Sequence, residues 1–320
     1  MIRFEGFTKR YGIHTAVEAL TFRVEPGEAV ALLGPNGSGK TTTLKGAAGL
    51  VRPTSGSVFV GEPERDASGP AGRRAISYLP QRVSFPDALT GLEVVEFYRR
   101  LRGVAAERSG EVLRLASLNG ASARQVSTYS GGMIQRLGLA VAALPDAPVM
   151  LLDEPTAALD PDGLCAFYGL VERRRREGRT LLFSSHQLGD VERLADRFLL
   201  LIGGRLAASL SRAELSQRLA SRGVMRLALA ARVPGLLSAV RAVAPQAAWL
   251  AEELIVPGPA ADRPRVLDVV RAAGGQVMNL VAEEARLDSL YRELVGSEGE
   301  GTGRPGYGET GGPGDGEKTT

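Results

Sequence analysis

The stretch GPNGSGKTTT, residues 34–43, constrains this chain more than any other ten residues in it. Gly34 through Thr41 fit the template G-x-x-x-x-G-K-[ST], in which a glycine-rich turn opens a helix and aims backbone N–H groups at phosphate oxygens. Gly37 and Gly39 let the backbone approach a phosphate closely. Lys40 brings positive charge to the β- and γ-phosphates, and the Thr41 hydroxyl is placed to reach a divalent cation. The motif needs a buried strand before it and a helix after it, and AVALLG (29–34) and TTTLKGAAGL (41–50) read as those elements. The nucleotide-contacting set predicted from the loop is Gly34, Asn36, Gly37, Ser38, Gly39, Lys40, Thr41 and Thr42.

Around the loop, apolar runs alternate with helical repeats. Residues 1–27 read as short strands, followed by strands at SVFV (57–60), AISYLP (75–80), PVMLLDEP (148–155) and TLLFSS (180–185). Residues 86–145 read as mostly helical, with a further helix at 161–177. This alternation predicts an α/β domain with a largely parallel sheet over residues 1–222. Residues 223–296 show the order β-α-β-β-α-β, which predicts a small ferredoxin-like α+β domain with a closing helix in LDSLYRELV. Residues 297–320 hold nine glycines in 24 positions and almost nothing apolar, so a disordered Gly-rich tail is expected.

Composition narrows the class. One cysteine, Cys165, allows no internal disulfide and suits a reducing cytosol. The N-terminus MIRFEGFTKRYG has no apolar leader, and runs such as LAVAAL and FLLLI fall far short of the roughly 20 apolar residues a bilayer span requires. Action at a membrane would therefore go through a partner. The net charge of +3 is a mild basic bias, and RRRR (173–176) reads as a solvated helix face rather than a nucleic-acid patch. One Cys, two His (His14 and His186) and five Met offer no cluster of soft ligands.

Two further stretches carry chemistry. In VMLLDEP, Asp153 leaves the end of a buried strand, where it can hold a metal directly or through water; Glu154 follows it as a candidate general base for an attacking water. In YSGGMIQR (129–136), Ser130, Gly131 and Gly132 at a helix start form a second nest of backbone N–H groups for an anion. This stretch resembles the L-S-G-G-Q signature of the ABC-transporter ATPases, with Tyr129 in place of leucine and Met133 in place of glutamine. Other family positions match in order: Tyr11 in KRYG, Gln81 in YLPQ, Asp160 in AALD and His186 in SSHQ.

The resemblance implies a P-loop ATPase domain with an N-terminal antiparallel β subdomain and a helical subdomain, binding ATP and Mg²⁺. It implies that Tyr11 stacks on adenine and that Thr41, Gln81 and Asp153 serve the metal. Glu154, His186 and Gln81 would be the catalytic residues, with His186 on the γ-phosphate. Ser130, Gly131 and Gly132 would meet the nucleotide of an opposing copy, with Asp160 at the seam, giving a homodimer with two composite sites. The partner implied is an integral-membrane permease, with this chain peripheral on the cytoplasmic face of the inner membrane and no nucleic acid bound.

The segment RVSFPDALTGLEVVEFYRRLRG lies where the family docks its permease; Phe85, Val94, Phe97 and Tyr98 either form that groove or belong to the helical core. Together with YSGGM it resembles the branch serving ABC-2-type permeases, and within it the NosF subfamily, which powers maturation of the copper sites of nitrous-oxide reductase. That reading adds a periplasmic maturation protein reached through the permease. The alternative is an exporter of drugs or lipids. A soluble ABC protein of ribosomes or nucleic acid usually carries two cassettes or a long coiled-coil insertion, and neither is present here.

Overall fold

The computed structural model describes residues 1–185, 193–220 and 223–283. Its first sheet is antiparallel in the order β2–β1–β4–β5, from β1 (Ile2–Tyr11), β2 (His14–Val24), β4 (Ser55–Val60) and β5 (Arg65–Asp66). The N-terminal strands are thus long, at ten and eleven residues, where short ones were expected. A second, six-stranded sheet follows the order β10–β9–β3–β8–β7–β6. It comprises β3 (Ala29–Leu33), β6 (Ile76–Leu79), β7 (Val149–Asp153), β8 (Thr180–Ser184), β9 (Arg197–Ile202) and β10 (Arg205–Ser211). All its pairings are parallel except the edge pair β9–β10.

The apolar runs explain this arrangement. β3, β7 and β8 are buried at every position, as parallel strands covered on both faces must be. Their side chains alternate between two cores. Ala31, Leu152 and Phe183 join the core shared with helices α3 (Gly91–Arg102), α4 (Glu107–Leu115), α5 (Gly131–Ala143) and α6 (Pro161–Arg176). Val30, Leu151 and Leu182 join the core shared with the antiparallel sheet and α1 (Lys40–Ala47). The register aligns Ser184 with both Leu32 and Asp153, so the carboxyl ends of β3, β7 and β8 lie side by side. Open α/β sheets place their ligands at that edge.

One detail of the helical region differs from the sequence reading. Arg174 is buried, not solvated: its guanidinium donates to the carbonyls of Ala143 at 2.8 Å and Pro145 at 3.2 Å, closing the C-terminal end of α5. Its neighbours are paired as well, Arg173 with Glu111 and Glu177 and Arg175 with Asp196. Of the four residues proposed for the docking groove, Val94 is in the core and Phe97 is 59% exposed. Phe85 and Tyr98 pack partly against the core, their rings edge to face at 6.1 Å.

After α7 (Arg212–Ala220) comes the β-α-β-β-α-β unit. It runs β11 (Val224–Leu229), α8 (Leu236–Arg241), β12 (Ala248–Leu250), β13 (Glu253–Pro257), α9 (Arg263–Ala272) and β14 (Val277–Glu283). The antiparallel order β12–β13–β11–β14 is the ferredoxin-like one, and Met225, Leu227, Leu236, Leu254 and Val266 give it a core of its own. The closing helix and the Gly-rich tail lie outside the described residues.

A half-buried ion pair ties β3 to β9. The Arg197 guanidinium donates to Glu28 Oε1 at 2.7 Å and Oε2 at 3.0 Å. Burial alone would raise the Glu28 carboxyl, but the Arg197 guanidinium and the Glu25 N–H hold it below the usual glutamate range. A depressed carboxylate stabilises the fold above its unfolded pKa, and that contribution is lost as pH falls through the folded value. Glu28→Gln is expected to cost about 1–2 kcal/mol at pH 7. In urea unfolding, the gap to wild type should close below the ordinary glutamate pKa of about 4.3.

Candidate functional site

The loop after β3 takes the shape its glycines permit. Gly37 and Gly39 sit at φ 82° and 97°, in the left-handed region that side chains rarely adopt. A Cβ on Gly39 would lie 2.7 Å from the Ala16 carbonyl oxygen, so the close approach of loop to β2 also needs glycine. Lys40 is buried at the start of α1, its ammonium donating to the Gly34 carbonyl at 2.7 Å and the Pro35 carbonyl at 3.1 Å. Burial lowers its pKa below the ordinary lysine value, opposed by the charges of Glu154 and Asp153. The cation is thus held where phosphate oxygens would compensate its lost hydration.

At the neighbouring strand ends, Asp153 is 1% exposed. Its Oδ1 accepts from the Ser184 hydroxyl at 2.7 Å and the Thr41 hydroxyl at 3.2 Å. Its Oδ2 is buried and accepts no hydrogen bond. Burial raises the carboxyl pKa, and the two hydroxyl donors oppose that rise. A buried carboxylate oxygen without a donor, beside a threonine hydroxyl, suits a hard divalent cation such as Mg²⁺, which takes few protein oxygens and completes its shell with phosphate and water. Ser38 Oγ is likewise buried and unpaired. These residues fit a Mg²⁺–nucleotide.

Glu154 follows at φ 45°, left-handed for a non-glycine residue. Such a conformation costs about 1–3 kcal/mol and is kept only where the surroundings enforce it. Here its N–H donates to Ser184 Oγ at 2.9 Å, and its Oε2 accepts from Gln81 Nε2, also at 2.9 Å. One serine therefore joins the two residues, donating to the Asp153 carboxylate and accepting from the Glu154 backbone N–H. Sequence reasoning missed Ser184; its signal was a polar residue ending an apolar strand, as Asp153 ends β7. It also missed Tyr78, whose phenol is raised above its usual pKa by burial and by the nearby Asp153 charge.

A cavity of about 520 Å³ brings together Tyr11, Asn36, Gly37, Ser38, Gly39, Lys40, Thr41, Thr42, Gln81 and Glu154, with His14 and Ala16 as further lining residues. Gly34 and Asp153 do not line it; they stand at the carboxyl ends of β3 and β7. Tyr11 is 49% exposed, its ring beside the Lys9 ammonium. His186 lies outside the described residues. Another cavity, about 290 Å³, lies in the C-terminal unit and involves none of these residues.

Ser130, Gly131 and Gly132 do not line the nucleotide cavity. Ser130 caps α5, its Oγ accepting from the Met133 N–H at 3.2 Å. Tyr129 anchors the segment: its ring is buried and its hydroxyl donates to the Ala121 carbonyl at 2.9 Å. A Cβ on Gly91 would lie 2.2 Å from that hydroxyl oxygen. Gly91→Ala is therefore expected to destabilise the chain by about 1–3 kcal/mol in thermal or urea unfolding. Asp160 caps α6, accepting from the Gly163 N–H at 2.9 Å, and pairs with Arg136 of the same chain at 3.1 Å.

With this geometry in hand, comparison with known proteins is direct. The family described as "ABC transporter" matches residues 17–157. The chain is 40% identical over 223 residues to the uncharacterized ABC transporter ATP-binding protein YxlF of Bacillus subtilis, covering 68% of this chain and 73% of that protein. It is 32% identical over 307 residues to the daunorubicin resistance ATP-binding protein DrrA3 of Streptomyces coeruleorubidus, covering 93% and 96%. Among solved structures, the dimeric post-hydrolysis ATP-binding cassette MJ0796, bound to ADP and Pi, matches with a TM-score of 0.61 and 26% identity over 66% of this chain and 99% of that one. The phosphate loop, the strand-end carboxylates and these relatives agree: the chain belongs to the ATP-binding subunits of ABC transporters and carries their ATP-hydrolysing domain.

Proposed function

We propose that this chain powers an exporter of drug-like or lipid-like compounds. The observation that carries the reading is the reach of one similarity: likeness to the daunorubicin resistance protein covers 93% of this chain, so it extends beyond the cassette into the C-terminal unit. The copper-site maturation reading rests on short motifs inside the cassette, which exporters share, and the exporter reading takes its place. The permease in this reading is a separate membrane protein; no helix among the described residues is long and apolar enough to cross a membrane. The chain then works on the cytoplasmic face of that membrane, as a homodimer with two composite sites.

In the proposed cycle, Lys40, Ser38 and the loop N–H groups hold the triphosphate, and Tyr11 covers the adenine. Asp153 and Thr41 would hold Mg²⁺, which neutralises charge developing on the phosphates. Glu154 orients and deprotonates the attacking water, and Gln81 positions that carboxylate. Ser130–Gly132 of the opposing copy close the site. Closure and reopening pass motion to the permease. The test is co-expression with candidate ABC-2-type permeases in a drug-sensitive host. Export of an amphipathic drug that fails with Glu154→Gln supports the proposal. Restored copper-site assembly in nitrous-oxide reductase, with no change in drug sensitivity, overturns it.

A further inference from the structure

The cavity of about 290 Å³ in the C-terminal unit shares no lining residue with the nucleotide cavity. Its size is at the small end of ligand pockets, which run about 300–1,000 Å³. The apolar part of its lining includes the cross-strand pair of Met225 on β11 and Val256 on β13, with Val266 on α9. All three belong to the buried core of the unit, so this wall is held by packing. The rim is preset as well. β13 leads into Pro257, Gly258 and Pro259, where both prolines have a fixed φ and the Gly258 N–H donates to the Gly223 carbonyl at 2.8 Å.

Two charged side chains line the same cavity, Asp262 and Arg263. Arg263 is half-buried, and among the described residues it has no ion pair. Its Nε is buried without a hydrogen-bond partner, and its Nη2 makes one long bond, to the Glu283 carbonyl at 3.4 Å. Other half-buried arginines of this chain are paired, Arg99 with Glu96 and Arg197 with Glu28. A cation partly withdrawn from water and left without a counter-charge favours an anionic partner, and a guanidinium matches a carboxylate with two parallel hydrogen bonds. Asp262, exposed at the N-cap of α9, makes no cap hydrogen bond with its side chain. Its charge therefore stands free at the cavity and disfavours a second negative charge on a ligand. We propose that this cavity binds a small monocarboxylate with an apolar body, the carboxylate on Arg263 and the body against Met225, Val256 and Val266. The site shares no residue with the ATP site and does not depend on the exporter reading.

The test is isothermal titration calorimetry of the full chain with octanoate as the probe, beside 1-octanol, octylamine and the dicarboxylate suberate. Octanoate should bind at one site per chain, and the other three about 10- to 100-fold more weakly, the scale of a lost hydrogen bond to a charged group. Arg263→Gln should weaken octanoate by a similar factor. Gly223→Ala is a second variant that keeps the charge. A Cβ there would lie 2.5 Å from Arg263 Nη2, the far end of a flexible side chain, so the guanidinium is displaced while the fold survives. It too should weaken octanoate by about 10-fold. Both variants should melt as the wild type does and bind a fluorescent ATP analogue unchanged. Absence of saturable octanoate binding to the wild type would overturn the proposal, as would undiminished binding in both variants. Equal affinity for octanol or for suberate would overturn the monocarboxylate class. Loss of octanoate binding on addition of Mg²⁺–ATP would place the acid in the nucleotide cavity and overturn the proposal as well.

Discussion

Glu154→Gln is expected to lower ATP turnover by about 10²- to 10⁴-fold, the range typical of a lost general base. The substitution keeps shape and the same left-handed backbone, and the N–H bond to Ser184 is untouched. The Gln81 amide at 2.9 Å can still donate to the new side-chain oxygen. What disappears is the negative charge able to take a proton from water. Nucleotide affinity should therefore hold or rise, because Lys40 and the loop N–H groups are unchanged and the closed state is no longer emptied by hydrolysis. Normal turnover by the variant would show that Glu154 is not the base.

Ser130→Arg should reduce turnover by about 10²- to 10³-fold, the scale of removing preorganised donors from a developing charge. Ser130 is exposed at the start of α5, and its loss as a cap costs only about 1 kcal/mol, so the chain should still fold. The residue does not line the cavity of its own chain, so nucleotide binding by the separated chain should be unaffected. A bulky side chain there would obstruct the nest that an opposing copy's phosphates must meet. Parallel loss of binding and turnover would place Ser130 in its own chain's site and contradict the composite arrangement.

Much of the site was legible because it is built from contiguous segments. Gly34–Thr42 and Asp153–Glu154 each lie where one buried strand ends, and an apolar run followed by a glycine or a carboxylate marks such an end locally. The ferredoxin-like unit was legible from the order of its short runs. What stayed hidden depends on contacts between distant segments. Ser184 lies 31 residues from Asp153, and only the β7–β8 register brings the two together. Arg136 is 24 residues from Asp160, and nothing in YSGGMIQR says that its last residue would grip the next loop. Arg174 was misread for a different reason: its charge outweighed its periodicity. Phe167, Leu170 and Val171 are buried on α6, and the spacing of three and four places Arg174 on their face. Its long stem packs there while its head reaches the Ala143 carbonyl.

The central claim, that ATP joins two copies across paired sites, is tested most directly by the native mass and nucleotide content of Glu154→Gln with and without Mg²⁺–ATP. The expected result is a single chain of 33.8 kDa without nucleotide and a particle of twice that mass with it, holding one ATP per chain. A particle that stays at the mass of one chain while saturated with ATP would contradict the account.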